Sequence, residues 1–436
     1  MAGATVGVVG AGITGLAVTH YLADRGVDCV TFDAAAEPGG VIDSRWVDGN
    51  LVEAGPQRMR KTPAVAALIE SLGIEDEAIE APELPLYVYA DGKLGEAPLS
   101  RSAFLRTGLL SWRGKLRLLA EPLTSPGSPE ESAADLFTRK FGREAYEKFV
   151  GPLYGGIYGS DPAHMPARYA LSSLLERERE VGSMLTAFRR RLGDGHESPP
   201  LSFEEGVQTL PNALADAHAD AVDLGTPVTD VTLAGEAGTS GGTTGGSPGD
   251  YVLETAGGHL AVDHVVVTTP ADVASDLLDG VAEGAAGLAD VTYNPLAIVH
   301  LAADVDVEGK GYQVGFGEDL HTLGSSWNAS MFDRDGVYTV FLGGMHEPDI
   351  VEASDEHLAG VATREFRTVM GAEPSVLDVT RLERGFPAYD RTWAAVEDVH
   401  PPAGVHLATN YTARMGIPSR IREARDLARS IEAAIP

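Results

Sequence analysis

Cysteine is almost absent from this sequence: Cys29 is the only one in 436 residues. No intrachain disulfide can form, so the fold must rest on its packed cores. Cys29 lies within an apolar run, where a buried and inert thiol is expected. Positive charge is also scarce. Lysine and arginine number 33 against 64 for aspartate and glutamate, a formal net charge of −31. Such a surface repels nucleic acid and anionic lipid wherever basic residues are not gathered locally, so no nucleic-acid partner is expected. Lysine is scarcer than arginine, a composition that resembles the cytoplasmic proteins of salt-accumulating halophiles. Long apolar runs are missing too, none reaching the roughly 18 residues of a spanning helix. No charged-then-apolar leader precedes Thr5. These absences point to a cytoplasmic protein, with peripheral contact to the inner face of the membrane as the alternative. At 436 residues and 44% hydrophobic content, the chain is globular and too long for one simple core.

Glycine, by contrast, is abundant, and three glycines near the start are spaced to a purpose. Thr5 to Asp33 reads as a strand, a glycine-rich turn, a helix and a second strand. Gly10, Gly12 and Gly15 give the G-x-G-x-x-G spacing: a tight turn, an approach for a pyrophosphate, and close packing of helix on sheet. The helix N-terminus behind them offers free N–H groups and a positive dipole end. Asp33 closes the second strand about 20 residues on, where an acid binds ribose hydroxyls. A bare glycine motif among 51 glycines is a weak signal. The strand before it, the helix after it and the acid at the right distance make a dinucleotide site the stronger reading.

A second small-residue turn follows at Gly39-Gly40, then a hairpin around Asp48-Gly49, then Glu53, Gly55 and Pro56 at another turn. A nicotinamide dehydrogenase has no need of this second turn, and the block favours FAD. Residues 63–75 are expected to be helical and 86–95 to form a hairpin around Asp91-Gly92. From Ala97 to Ala120 there is no acid, yet Arg101, Arg106, Arg113, Lys115 and Arg117 are present. This leucine-rich basic island reads as an amphipathic helix closing over the core, with membrane or partner-enzyme contact as the alternative. Residues 131–150 are helical by periodicity. The run 151–162, GPLYGGIYGSDP, is dense in glycine and aromatics; it reads as poor helix and poor strand, with backbone set close beside a flat ligand. Glu176 to Arg191 reads as a charged, solvated helix, and 234–250 as a hairpin tip without function.

Taken together, GAGITGL, the acid at 33, Gly39-Gly40, Asp48-Gly49 and E-x-G-P at 53–56 resemble the FAD-binding amine oxidase and protoporphyrinogen oxidase superfamily. The E-S pair at 131, F-x-x-x-F-G at 137–142 and P-L-x-x-G-I-Y-x-x-D-P at 152–162 resemble its protoporphyrinogen/coproporphyrinogen oxidase branch, as do residues 315–344 and the Arg384, Pro387, Tyr389 element. Glu37 stands where the family usually has a basic residue, and Thr409 and Arg414 where it has small ones. The fold implied is α/β: a Rossmann-like FAD-binding domain (GR2-type) with an inserted α+β substrate-binding domain. Residues 1–75, 202–290 and 376–436 would form the discontinuous FAD domain. Residues 76–201 and 291–375 would form the substrate domain, with a helical subdomain at about 97–200.

The cofactor contacts this implies begin with Gly10, Ala11, Gly12, Ile13, Thr14, Gly15, Asp33 and Ala34. Gly39, Gly40, Val41, Gly55 and Pro56 follow, then Val228, whose backbone would meet the adenine, and Thr269. Asn410, Gly416, Ile417 and Pro418 complete the set, with a helix N-terminus facing the flavin N1–C2 carbonyl side. The activity implied is dehydrogenation of a porphyrinogen in heme biosynthesis, protoporphyrinogen IX or coproporphyrinogen III. Hydride would pass from a meso carbon to flavin, six electrons in all, with O2 as acceptor and hydrogen peroxide as product. No general base stands out near the flavin and no metal site is expected, so catalysis would be mostly positioning. Porphyrinogens carry propionates, and Arg60, Arg168 and Arg384 are the candidate anchors, because guanidinium forks match carboxylates. The competing readings are a flavin amine oxidase, a carotenoid desaturase and a flavin-binding protein without turnover. The oligomer is expected to be a monomer or a homodimer.

Overall fold

The computed structural model describes residues 4–193, 198–234, 250–334, 336–412 and 415–435. The glycine-rich stretch 235–249 and Arg414 lie outside the described residues.

Two large sheets organise the chain. The first is five-stranded and wholly parallel, in the order Val222–Asp223, Asp28–Phe32, Thr5–Val9, His264–Val267, Val405–Leu407. Its strands come from three separated stretches of sequence. Thr5–Val9 is buried almost throughout, as expected of a parallel strand covered on both faces. On one face lies the Ile13–Ala23 helix, packed through Leu16, Ala17 and Tyr21 on the C-terminal helix Ile417–Ala434, which contributes Ile421, Ala424, Ala428 and Ile431. On the other lies a three-stranded antiparallel sheet, Val228–Leu233, Tyr251–Thr255 and Gly258–Val262. Gly7 permits that close layering, since a Cβ there would stand 2.4 Å from Leu253 Cδ1.

The second sheet has seven strands, in the order Ser375–Pro387, Tyr293–Ala302, Val337–Gly343, Thr322–Trp327, Gly311–Val314, Tyr87–Ala90, Lys93–Glu96. Strand alternation gives it two distinct faces. Ala297, Val299, Leu301, Tyr338, Val340 and Leu342 face the Asp355–Met370 helix and pack on Leu358, Val361 and Phe366. The opposite face carries a cross-strand row of Asp378, His300, Thr339, Ser326 and Gly311. Ser375–Pro387 pairs along Tyr293–Ala302, so the return to the parallel sheet comes after Pro387 and not at 376.

A helical body around Phe137, Phe141, Leu171 and Leu174 fills much of 101–193. Two readings change here. The run 151–162 is not irregular: Gly151–Tyr158 is an α-helix. Two of its three glycines face neighbours too close for a side chain as they stand; a Cβ on Gly156 would stand 1.9 Å from Gln313 Oε1, and one on Gly151 2.5 Å from Phe316. Likewise 176–191 is two helices, Ser172–Val181 and Met184–Gly193, broken at Gly182. It is not wholly a solvated face, because Glu178 is buried against Lys140. The basic island 97–120 forms two short helices, Arg101–Arg106 and Trp112–Leu119. The segment buries Ala103, Leu109, Leu110 and Leu118, while Leu105, Trp112, Leu116, Leu119 and, just beyond it, Leu123 stay exposed.

Candidate cofactor and substrate site

The glycine turn after the first strand is built as its spacing suggests. Gly10 takes φ +109°. A Cβ on Gly15 would stand 1.8 Å from Gly10 O, so only glycine lets the helix sit this close. Gly12 differs: its φ is −70°, and a Cβ there would meet only Gly39 O at 4.0 Å. Neither backbone nor packing demands glycine at 12, and the open space above it is what an approaching pyrophosphate requires. The Ile13–Ala23 helix has no side-chain cap, which leaves its first N–H groups for an anion.

Gly39 is drawn onto this turn, its N–H donating to Ala11 O at 2.9 Å. Gly39 and Gly40 both take positive φ, +114° and +65°. Gly55 packs on the same loop, where a Cβ would stand 1.8 Å from Val41 O. The structure therefore brings the turns 10–15, 39–41 and 55–56 together. Asp33 stands at the strand end, its carboxylate accepting from Ala11 N at 2.5 Å and Ala35 N at 2.7 Å. Thr269 follows the fourth strand of the parallel sheet, and its buried hydroxyl has no partner among the described residues. Val228 opens the antiparallel layer.

A second uncapped helix N-terminus lies at Gly416, with φ +107° and Pro418 in the first turn. Thr409, the first of the bulkier substitutions, tucks into its own turn: its N–H donates to Thr412 Oγ1 at 2.8 Å. Glu37 is exposed. Two open helix ends, a cradle of glycine turns and an acid at the strand end fit an extended flavin dinucleotide.

Beside Gly416 stands an aromatic wall. Tyr389 and Trp393 stack with centroids 4.3 Å apart, and Tyr158 meets Tyr389 edge-on at 4.8 Å. Met415 N donates to Tyr389 Oη at 3.3 Å, which ties the wall to the C-terminal cofactor loop. Tyr169 lies 6.3 Å from Trp393 and carries the Arg168 guanidinium 4.5 Å over its own ring.

Glu53 joins the two sheets' surroundings. Fully buried, it accepts from Arg334 Nη1 at 2.8 Å and Val207 N at 3.2 Å, and from the Ser44 hydroxyl. Burial pushes its carboxyl upward, and Arg334 opposes that shift. Sequence reasoning noted Glu53 as part of a turn but not this ion pair; a glutamate flanked by Leu51, Val52 and Ala54 was the available signal of burial. His300 is buried and neutral, held down to about 4 by desolvation.

The three candidate anchors are not brought together. Arg60 is exposed and donates to Ser198 O at 3.1 Å. Arg168 is partly exposed at the outer end of the aromatic wall and also bonds the Tyr169 hydroxyl. Arg384 is paired with Asp272 on the surface, so its charge is already met by a carboxylate of the chain. Sequence reasoning passed over Arg58, which is half-buried and donates to Ser326 Oγ at 2.6 Å.

A wholly parallel sheet whose glycine turns fit a dinucleotide, with a second, mixed sheet in the same chain, is the architecture of a flavin-dependent oxidoreductase. The chain belongs to the flavin containing amine oxidoreductase family, which it matches over residues 13–431. Its cofactor is FAD. It is similar to protoporphyrinogen oxidase 2, chloroplastic/mitochondrial, of Arabidopsis thaliana: 26% identity, covering 91% of this chain and 86% of that one. Coproporphyrinogen III oxidase of Staphylococcus aureus is 25% identical, with 88% of each chain covered. A crystal structure from Exiguobacterium sp. 255-15 superposes over 100% of both chains with a TM-score of 0.79 at 22% identity. That likeness establishes the shared fold.

Proposed function

We propose that this protein oxidises a porphyrinogen, protoporphyrinogen IX or coproporphyrinogen III, with dioxygen as the acceptor. The observation that carries the reading is likeness to both kinds of porphyrinogen oxidase along nearly the whole chain. Bound FAD would supply the two-electron acceptor. The chain's own contribution is position. Trp393 and Tyr158 are half-buried rings set around a buried Tyr389, and their open side is where a flat macrocycle would lie. Gly10 to Gly15, Gly39-Gly40 and the Gly416 helix end would hold the cofactor opposite those rings. Residues 1–75, 202–290 and the part after Pro387 serve as the cofactor domain, and the rest as the substrate domain. The test is anaerobic: purified holoenzyme is mixed with either porphyrinogen, and the flavin absorbance should bleach. Bleaching by a primary amine or a carotenoid precursor instead would select one of the competing enzymes, and no bleaching by any of them a protein that only binds flavin.

The 97–123 segment supports contact with an anionic lipid surface from the cytoplasmic side. Among the described residues no helix is long and apolar enough to cross a membrane. Leu105, Trp112 and Leu123 are 74%, 67% and 89% exposed, and Arg101, Arg106 and Arg113 stand exposed among them. A surface of charge −31 fits a salt-rich cytoplasm.

A further inference from the structure

We infer that Arg58 is the side chain that holds a carboxylate of the substrate. The inference rests on the porphyrinogen reading above and names the contact by which the acid would be recognised. Its backbone is fixed first. Gln57 donates through Nε2 to Glu53 O at 2.7 Å and Gly55 O at 2.9 Å, and accepts from Asn328 Nδ2 at 3.0 Å. This anchors the turn that also lines the cofactor cradle through Gly55. Arg58 follows directly and reaches across to the Thr322–Trp327 strand, where Nη1 donates to Ser326 Oγ. Ser326 stands on the face turned away from the Asp355–Met370 helix. Arg58 thus ties the chain that follows the cofactor turn to the seven-stranded sheet.

What Arg58 lacks among the described residues is a carboxylate. The chain has 64 acids, and its buried cations have found them: Lys140 with Glu121 and Glu178, Arg334 with Glu53, Arg420 with Glu423. Arg58 has only the Ser326 hydroxyl among the described residues, and the one charged group that perturbs it is another cation, Arg60. Burial and Arg60 together push it down to about 10, still charged at neutral pH. Its nitrogens are not shut off from solvent, so the donors that Ser326 does not take stay open to an incoming group. Arg58 also keeps some of its surface open although protein encloses it. That combination describes the wall of a cleft. A carboxylate fits the planar fork two bonds at a time, and Arg60 nearby adds to the local positive potential in a chain otherwise negative.

Protoporphyrin, a dicarboxylic acid, and its dimethyl ester are the probes, and binding to the flavin-loaded protein is read by porphyrin fluorescence. The wild-type chain should bind the diacid about tenfold to a hundredfold more tightly than the diester. Arg58→Gln should lose that preference by binding the diacid at the diester's level, and Arg58→Lys should recover part of it. Flavin absorbance should be unchanged in both. Retention of the full preference in Arg58→Gln overturns the inference, as does an equal weakening of diacid and diester, which would mark a structural role. Should Arg58→Gln not fold, Arg58→Lys decides: a weaker diacid with an unchanged diester supports the site, and no change removes it. Porphyrinogen turnover by the wild type is measured separately. A diacid preference without turnover would sink the functional reading and leave the carboxylate site standing.

Discussion

Gly12 and Gly15 are the same residue type three positions apart, and they are glycine for different reasons. At Gly15 the backbone of Gly10 fills the place of a Cβ; at Gly12 that place is open. Gly15→Ala should therefore damage the fold, whereas Gly12→Val should fold and bind no flavin. Thermal unfolding and flavin absorbance, measured on both variants, separate the two effects. A Gly12→Val protein with normal flavin content would show that the pyrophosphate lies elsewhere. Much of this was legible in the sequence, because a strand, three spaced glycines and an acid at a set distance depend on local geometry alone. Arg58 was not. GPQRMR contains two arginines, and only the path of the neighbouring strand decides that Arg58 points inward to Ser326 while Arg60 points outward to Ser198.

At the scale of elements, tertiary packing overrode composition in the helical body. Gly151–Tyr158 contains three glycines and would not hold as an isolated helix. It forms because glycine lets it lie against Gln313 and Phe316, contacts that sequence periodicity cannot reveal. The same body is pinned by Lys140, which is buried with Glu121 and Glu178. Glu121 also accepts from Ser183 Oγ at 2.6 Å and Met184 N at 3.0 Å, and Glu178 from Gly127 N at 2.9 Å. Lysine and glutamate in a polar-looking stretch read as solvated, and only the assembled bundle shows them enclosed. Lys140→Ala leaves two buried carboxylates without their cation. The expected loss is ~3–5 kcal/mol of unfolding free energy, read by denaturant titration. A loss under about 1 kcal/mol would mean that water reaches the cluster.

For the whole molecule, charge governs behaviour in two ways. The first is response to acid. His300 and His406 are each held down to about 4, chiefly by burial, and His406 also by His264 beside it. Asp378 opposes the shift at His300, and Arg45 adds to it. Their folded values lie below the ordinary 6.5, so the unfolded chain takes up protons first. Stability should be intact above about pH 6.5 and fall as pH drops toward 4. His406→Gln should flatten that fall, and an unchanged melting profile between pH 6.5 and 4 would remove His406 from the account.

The second is the proposed contact with lipid. A net charge of −31 repels an anionic membrane, yet repulsion between separated charges fades over about 8 Å at physiological salt. The surface at 97–123 would act locally, because Arg101, Arg106 and Arg113 are exposed and so are Leu105, Trp112, Leu116 and Leu119 along the same segment. Lys115 and Arg117 belong to the fold instead. Lys115 donates to Leu105 O at 3.1 Å and Thr107 O at 2.8 Å, and Arg117 to Lys140 O at 3.0 Å, so replacing them tests stability and not docking. Each exposed arginine near an anionic surface contributes on the order of 1 kcal/mol, and the buried apolar area adds to that. The chain should therefore float with vesicles containing anionic lipid and less with neutral ones. Arg101→Glu, Arg106→Glu and Arg113→Glu together should lower binding about a hundredfold, as the loss of three such contacts implies at minimum. Trp112→Asp should weaken binding to both vesicle types, because it removes insertion and not attraction. Turnover of dissolved substrate should be unchanged in either variant. If vesicles fail to bind the wild type while the patch variants shift it from dimer to monomer, the exposed leucines cover a second copy of the chain.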